Sequence, residues 1–146
     1  KLQYFQHSAA ALSTEAILAI LTCILVSFAL LHLVKNNRAS AHVILFMLFA
    51  IQVINAFYHI FFSFYFSDFS PGAITAALLY LPVNFLIAQA AFREGYLKSY
   101  FEYGCIAFLG TTTFVLFEII GPLIIGLAII FSLMYYFYFN KRLSNN

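Results

Sequence analysis

The chain has 146 residues, of which 64% are hydrophobic and 8% are charged, and its formal net charge is +2. Soluble domains carry about 25% charged residues, and a chain of this length cannot bury so much apolar surface in a core of its own. The composition therefore excludes a soluble globular domain, and the small, scattered charge excludes a nucleic-acid surface. A lipid bilayer is the expected surrounding.

Five stretches of the sequence meet the requirement of roughly 20 apolar residues for one membrane crossing. The turn KNNRAS at 35–40 separates the first two, and SDFSPG at 67–72 follows the second. The last two stretches form one apolar run that is too long for a single crossing, and Gly121-Pro122 is its expected break because proline cannot continue a helix. The predicted spans are residues 14–34, 41–66, 71–92, 101–120 and 122–139.

Basic residues predict how these spans are oriented. An N-terminus outside the cell leaves six of the seven basic residues on the inner side, which is the pattern of the positive-inside rule. The sequence thus predicts an all-α integral membrane protein, a single bundle of five transmembrane helices with a cytoplasmic C-terminus. A multi-pass protein of the bacterial inner membrane is the expected location. The six inner basic residues are Lys35, Arg38, Arg93, Lys98, Lys141 and Arg142.

Polar residues recur along one stripe of the second span, at steps of three and four. A stripe of this kind is costly in contact with lipid, so we expect it to face the bundle interior. The other spans carry stripes of small or polar residues that can converge on the same interior. The stripe of the second span is Gln52, Asn55, His59, Ser63 and Ser67. That of the first span is Ala16, Ala19, Cys23 and Ser27. That of the third span is Ala73, Ala77, Tyr80, Asn84, Ala88 and Ala91. That of the fourth span is Gly104, Ala107, Thr111 and Glu118.

Two interpretations fit this polar seam. Amides, hydroxyls and imidazoles commonly bridge membrane helices as structural hydrogen bonds, for example between Asn84 and Gln52 or Asn55. Alternatively, the seam lines a pocket in the outer half of the bundle, suited to a small hydrophobic or amphipathic ligand or a lipid. Its expected walls are the aromatic residues Phe57, Tyr58, Phe61 and Phe62. The candidate ligand-binding residues are Gln52, Asn55, His59, Tyr80, Asn84 and Glu118.

Several single residues carry local predictions. Pro82 should interrupt the third span, and Gly110 should allow a bend or a close approach of two helices. His32 and His42 lie at the inner ends of the first two spans, where contact with lipid headgroups is the expected role. The spacings required for a metal site, a haem site or a phosphate loop are absent, so no cofactor or metal is predicted.

No catalytic signature is present, and the predicted protein is not an enzyme. The leading functional expectation is a helical membrane module, either a small subunit of a membrane complex or the sensory input domain of a receptor. A small-molecule transporter or a channel-like oligomer is the alternative, because the polar seam and the interrupted helices also suit a transport path. Other membrane subunits or further copies of this chain are the expected partners, and flux through His59 or Asn84 variants would separate the two classes.

Overall fold

The computed structural model describes residues 13–66 and 71–143, and the regular structure within them is entirely helical. Five helices there are long and apolar enough to cross a membrane. The predicted all-helical fold with five helices of membrane-spanning length is therefore confirmed, and each predicted span lies within a few residues of its helix. Part of the predicted turn at 67–72, including Ser67, lies outside the described residues. The helices are α1 (Thr14–Lys35), α2 (Arg38–Tyr65), α3 (71–93), α4 (Tyr100–Ile120) and α5 (Leu123–Leu143).

Short turns connect α1 to α2 and α4 to α5. Asn36 ends α1 with a left-handed φ of 44°, and Asn37 then caps α2 by accepting a hydrogen bond from the Ser40 N–H at 2.9 Å. Gly121 ends α4 with φ 98°, a conformation that glycine adopts without strain. Pro122 follows it and α5 begins at Leu123, so the predicted Gly-Pro break is confirmed.

Helix α2 is the central element of the bundle and contacts all four other helices. In its most apolar stretch 44% of the residues are buried, compared with 6% to 17% in the other four helices. The remaining apolar surface of the outer helices is exposed, as expected where acyl chains rather than water surround the protein. Because α2 is central, the predicted polar stripe of this helix has neighbouring helices on several sides.

Two turns of π-helix interrupt the long helices. One covers Phe49–Val53 in α2, and the other covers Ala76–Tyr80 in α3. The second precedes Pro82, whose missing N–H and ring prevent regular bonding to the preceding turn. There the Leu81 N–H donates to the carbonyl of Ala76, five residues back. The interruption predicted at Pro82 is confirmed, and it takes the form of a π turn.

The π turn of α2 lies against Gly110 of α4. A Cβ added to Gly110 would lie 2.4 Å from the Phe49 Cβ and 3.1 Å from both the Ala50 nitrogen and the Phe46 carbonyl oxygen. Only a residue without a side chain allows the two backbones to approach this closely. The close approach predicted for Gly110 is therefore confirmed.

The small-residue stripe of α1 does not face the interior, so that prediction is wrong. Ala19, Cys23 and Ser27 are exposed, whereas Phe28 is buried. The hydroxyl of Ser27 donates to the carbonyl of Cys23 in its own helix at 2.7 Å, which satisfies it on an exposed surface. Helix α1 therefore packs through its large apolar side chains, and its small residues lie on the outside.

The lysine and arginine residues of the described helices lie together at one end of the bundle. The helices alternate in direction, so the ends of α1, α3 and α5 and the starts of α2 and α4 share one end. We call this the basic end because it carries the six basic residues predicted to lie inside. The opposite end carries Glu15 at the start of α1 and Glu118 in the last turn of α4, and we call it the acidic end.

Candidate functional site

A large cavity of about 480 Å³ lies in the half of the bundle nearest the acidic end. It is bounded by the first half of α1, the middle of α2, the end of α4 and the start of α5, and Tyr80 reaches it from α3. Its walls are mainly aliphatic, with Phe114 and Phe117 as the aromatic contributors. A cavity of this size and lining falls within the range of small-molecule sites in proteins.

Four of the six candidate residues named from the sequence line this cavity, and they are Gln52, Asn55, Tyr80 and Glu118. Asn84 lies behind its wall and is bonded to two of them. His59 is not part of the wall; it is half-buried and its ring lies against that of Tyr58. The structure thus brings five of the six predicted residues into one neighbourhood and leaves His59 outside it.

Asn84 holds the polar side of the cavity in place. Its amide nitrogen donates to Gln52 Oε1 at 3.1 Å and to the carbonyl of Tyr80 at 2.8 Å, so it links α3 to the π turn of α2. Asn84 is 8% exposed, and its Oδ1 has no hydrogen-bond partner among the described residues. Exchanging the two amide atoms would place oxygen against oxygen, so the free atom is the acceptor.

The other polar groups on the cavity wall keep most of their hydrogen-bonding capacity. Gln52 uses its oxygen for Asn84, which leaves its amide N–H groups available. Within the described residues, no hydrogen bond or ion pair involves the side chains of Asn55 or Glu118 or the hydroxyl of Tyr80. Structural bridging of helices therefore accounts for Gln52 and Asn84, and it does not account for the other polar wall residues.

The predicted aromatic walls are wrong. Phe57 and Phe61 are 54% and 61% exposed, on the side of α2 that faces away from the bundle. Tyr58 and Phe62 are partly buried but lie beyond the cavity, with their rings in tilted contact at a centroid distance of 4.3 Å. The cavity lies one turn or more toward the basic end, and α1, α4 and α5 supply its apolar lining.

At the basic end, a network of charged and polar groups connects α2, the loop at 94–99 and α4. The Arg38 guanidinium donates to Glu102 Oε1 at 2.5 Å and to the carbonyl of Tyr96 at 3.1 Å. The second Glu102 oxygen accepts from the Lys98 N–H at 2.8 Å, and the Glu102 N–H donates to Ser99 Oγ, which caps α4. The start of α2, the loop at 94–99 and the start of α4 are thereby joined.

His42 lies inside this network and is 5% exposed. Its Nε2 lies 2.9 Å from the carbonyl oxygen of Tyr96 and 3.4 Å from Glu102 Oε1. Because both of these oxygens accept, Nε2 carries the proton, and Nδ1 accepts from the Tyr135 hydroxyl at 2.7 Å. The expected headgroup contact is therefore wrong for His42, whose ring connects α2 with α5 and the 94–99 loop.

His32 also has a protein partner. Its Nδ1 donates to Ser40 Oγ at 2.8 Å, since the Ser40 hydroxyl hydrogen is given to the Asn37 carbonyl at 2.9 Å. Asn37 in turn donates its amide to Asn140 Oδ1 at 3.0 Å, which ties the first turn of the bundle to the end of α5. Both histidines at this end thus serve packing between helices.

A second cavity of about 310 Å³ opens beside His42 and Glu102. Its charged and imidazole groups are already paired with one another, and only the buried Ser132 hydroxyl has no partner among the described residues. The two cavities therefore differ in what they can offer a ligand. The larger one has several free donors and acceptors, whereas the polar groups of the smaller one are committed to holding helices together.

Sequence reasoning missed the Arg38–Glu102–His42 network, although one local signal was available. Residues 99–102 read SYFE, the Ser-x-x-Glu pattern of a helix N-terminus, and it marks both the start of α4 and the location of Glu102. No sequence signal pairs that carboxylate with Arg38, which is 64 residues away along the chain.

Residue types that bind metals do not cluster in the described part of the chain. No group of three or more His, Cys, Asp or Glu side chains there could hold a metal ion. His42 already uses both ring nitrogens within the protein and His32 uses its Nδ1, and His59 stands apart from Glu118. The chemistry available at the large cavity is therefore hydrogen bonding and one carboxylate charge.

Residues 1–87 match the model of a family described as "Protein of unknown function with HXXEE motif". The match covers more than half of the chain, which therefore belongs to this family. It includes all of α1 and α2 and most of α3, and hence every candidate residue except Glu118. None of the four histidines is followed by glutamates at the third and fourth positions, so the motif of the family's description does not identify a site in this chain. No curated protein and no solved structure matches the chain.

Proposed function

We propose that this HXXEE-family chain is a non-enzymatic, membrane-embedded binding module whose large cavity takes a small hydrophobic or amphipathic molecule. The observation that carries the proposal is the contrast in polar saturation. The charged and imidazole groups beside the second cavity are paired with each other, while Gln52, Asn55, Tyr80 and Glu118 on the wall of the large cavity keep free donors and acceptors beside an aliphatic lining. Pockets that bind small molecules combine an apolar wall with a few convergent polar groups in this way.

The binding test uses a neutral amphiphile as probe and fills the cavity with a side chain. The protein is placed in nanodiscs of a zwitterionic phospholipid, and tritiated 4-phenylbutanol is measured by scintillation proximity against empty discs. Ala128→Phe places a ring in the cavity and should weaken binding on the order of tenfold or more. The matched control Ala19→Phe adds the same ring on the exposed surface of α1 and should leave binding unchanged.

A size-exclusion profile for both variants shows whether each remains folded. Equal binding by Ala128→Phe and Ala19→Phe, with both folded, would contradict the proposal, because the probe would then bind somewhere other than the cavity. Binding by intact protein no greater than by empty discs would contradict it as well.

We also propose that the basic end faces the cytoplasm of a bacterial inner membrane. The charge separation between the two ends supports this orientation through the positive-inside rule. In a background where Cys23 and Cys105 are replaced by serine, Lys98→Cys marks the basic end and Pro122→Cys the acidic end, since both positions are exposed. A membrane-impermeant maleimide added to intact cells should label Pro122→Cys alone, and labelling of Lys98→Cys instead would reverse the orientation.

We also propose that the chain binds this molecule as part of a larger membrane assembly, in which it is a small subunit or an input domain. The turns at 36–37 and 121–122 are two residues long, and the 94–99 loop is held by the basic-end network, so the described connections leave little surface outside the bilayer. Native electrophoresis of gently solubilised membranes tests this, and migration as a single free chain would contradict it.

Transport is the second candidate, and one observation favours it. The two π turns, Phe49–Val53 and Ala76–Tyr80, both contribute to the polar side of the cavity through Gln52 and Tyr80. Transporters often bind substrates where helices are interrupted near the middle of the membrane. Uptake of the tritiated probe into sealed proteoliposomes, reduced by Asn84→Leu, would favour transport over binding alone.

A further inference from the structure

The charge around the large cavity has one sign. Among the described residues, Glu118 is the one charged side chain on its wall, and no described lysine, arginine or histidine lines it. The carboxylate is exposed, and neither ion pair found in the described residues involves it. A charged group at the mouth of an apolar cavity, without a partner from the protein, is available to a ligand.

The distribution of charge over the whole bundle also makes the end that holds this cavity negative. All lysines and arginines in the described residues lie at the far end. The acidic residues described near the cavity end are Glu15 and Glu118, and His59 is the histidine in this half of the bundle. Glu15 lies two residues before Ile17, which is part of the cavity wall. The potential at this end therefore attracts cations and repels carboxylates.

The interior of the same cavity suits the uncharged part of such a ligand. Beyond Glu118 the wall is formed mainly by aliphatic side chains and two phenylalanine rings. Its other polar groups are Gln52, Asn55 and Tyr80 on one side, and the hydroxyls of Thr22 and Thr113, which donate to carbonyls of their own helices. A molecule with a hydrocarbon body and one charged end can bury the body among the apolar side chains and leave the charge at the exposed carboxylate.

We propose that the ligand is a cationic amphiphile, an ammonium group on a hydrocarbon body, and that Glu118 binds its charge. This inference rests on the proposed binding function and names the ligand class for the same cavity. Glu118 acts here through an ion pair at the cavity mouth, whereas the aliphatic wall supplies the contacts that any amphiphile of suitable size would make.

The test compares three tritiated probes that share one carbon skeleton. They are 4-phenylbutylamine, 4-phenylbutanol and 4-phenylbutanoate, and each is measured on the full chain in zwitterionic nanodiscs. The amine should bind about fivefold more tightly than the alcohol, the size of a favourable exposed ion pair, and the carboxylate should bind most weakly. Glu118→Gln should remove the preference for the amine over the alcohol.

The control variant is Glu15→Gln, which removes a charge from the same end at a position outside the cavity wall and should keep the preference. Equal binding of amine and alcohol to the intact protein would overturn the ligand class and leave the binding function standing. A preference for the amine that persists in Glu118→Gln would also overturn it. Binding of none of the three probes would overturn the binding function and the ligand class together.

Discussion

Gly110 is the position where a single methyl group should decide whether α4 can pack on α2. In Gly110→Ala the new Cβ would lie 2.4 Å from the Cβ of Phe49. Carbon atoms pack at about 3.5–4.0 Å, so the helices must separate by roughly 1 Å. Rotation of the Phe49 side chain cannot relieve the clash, because its Cβ is fixed to the backbone. The other two close atoms are also backbone atoms of α2, the Ala50 nitrogen in the π turn and the Phe46 carbonyl oxygen just before it.

The matched control for this prediction is Gly104→Ala in the same helix. A Cβ at Gly104 meets nothing within 4 Å, so this variant should gain only the helix propensity of alanine, up to about 1 kcal/mol. Gly110→Ala carries the same gain and adds an overpacking cost of about 1–3 kcal/mol. The difference in free energy of unfolding between the two variants therefore measures the contact, and Gly110→Ala should be the less stable by about 1–3 kcal/mol.

Unfolding by SDS in phospholipid bicelles, followed by far-ultraviolet circular dichroism, gives both free energies under the same conditions. If Gly110→Ala and Gly104→Ala unfold at the same SDS fraction, the close approach of α2 and α4 does not limit stability, and the reasoning from the 2.4 Å distance is refuted.

Two further predictions concern hydrogen bonds between helices. Arg38→Gln and Glu102→Gln should each lower the free energy of unfolding by about 1.5–3 kcal/mol, because each leaves a charged partner without its ion pair. The loss of free energy in the double variant should be smaller than the sum of the two single losses by about 0.5–3 kcal/mol. Strictly additive losses in the same SDS assay would show that the pair is not coupled. Asn84→Leu should lower the free energy of unfolding by only about 0.6 kcal/mol, since it also removes the unpaired Oδ1. Asn84→Asp should lower it by more, because it places an acceptor against Gln52 Oε1 and the Tyr80 carbonyl. A smaller loss of stability for Asn84→Asp than for Asn84→Leu would contradict the assigned amide orientation.

Prediction of which polar side chains lie close together succeeded where those residues follow the period of a buried helix. Gln52 and Asn55 lie on the central helix, where any stripe is close to a neighbour, and Asn84 reaches Gln52 as expected. It failed for the walls, because Phe57 and Phe61 are as apolar as residues that pack inside. The aliphatic residues of α1, α4 and α5 that line the cavity follow no sequence pattern that distinguishes them from the apolar residues on the outside of the bundle.

The sequence alone determined the helical class, the number of membrane-length helices and the separation of charge, because these follow from the length of the apolar stretches, turn residues such as Gly121-Pro122 and the spacing of basic side chains. Only the tertiary structure decided which faces meet. In lipid the outside of a helix is as apolar as the inside, so hydrophobic periodicity cannot orient a helix such as α1. Contacts such as Arg38 with Glu102, and the position of the cavity, depend on helix rotation and on the two π turns, and these are set by packing between residues far apart in the chain.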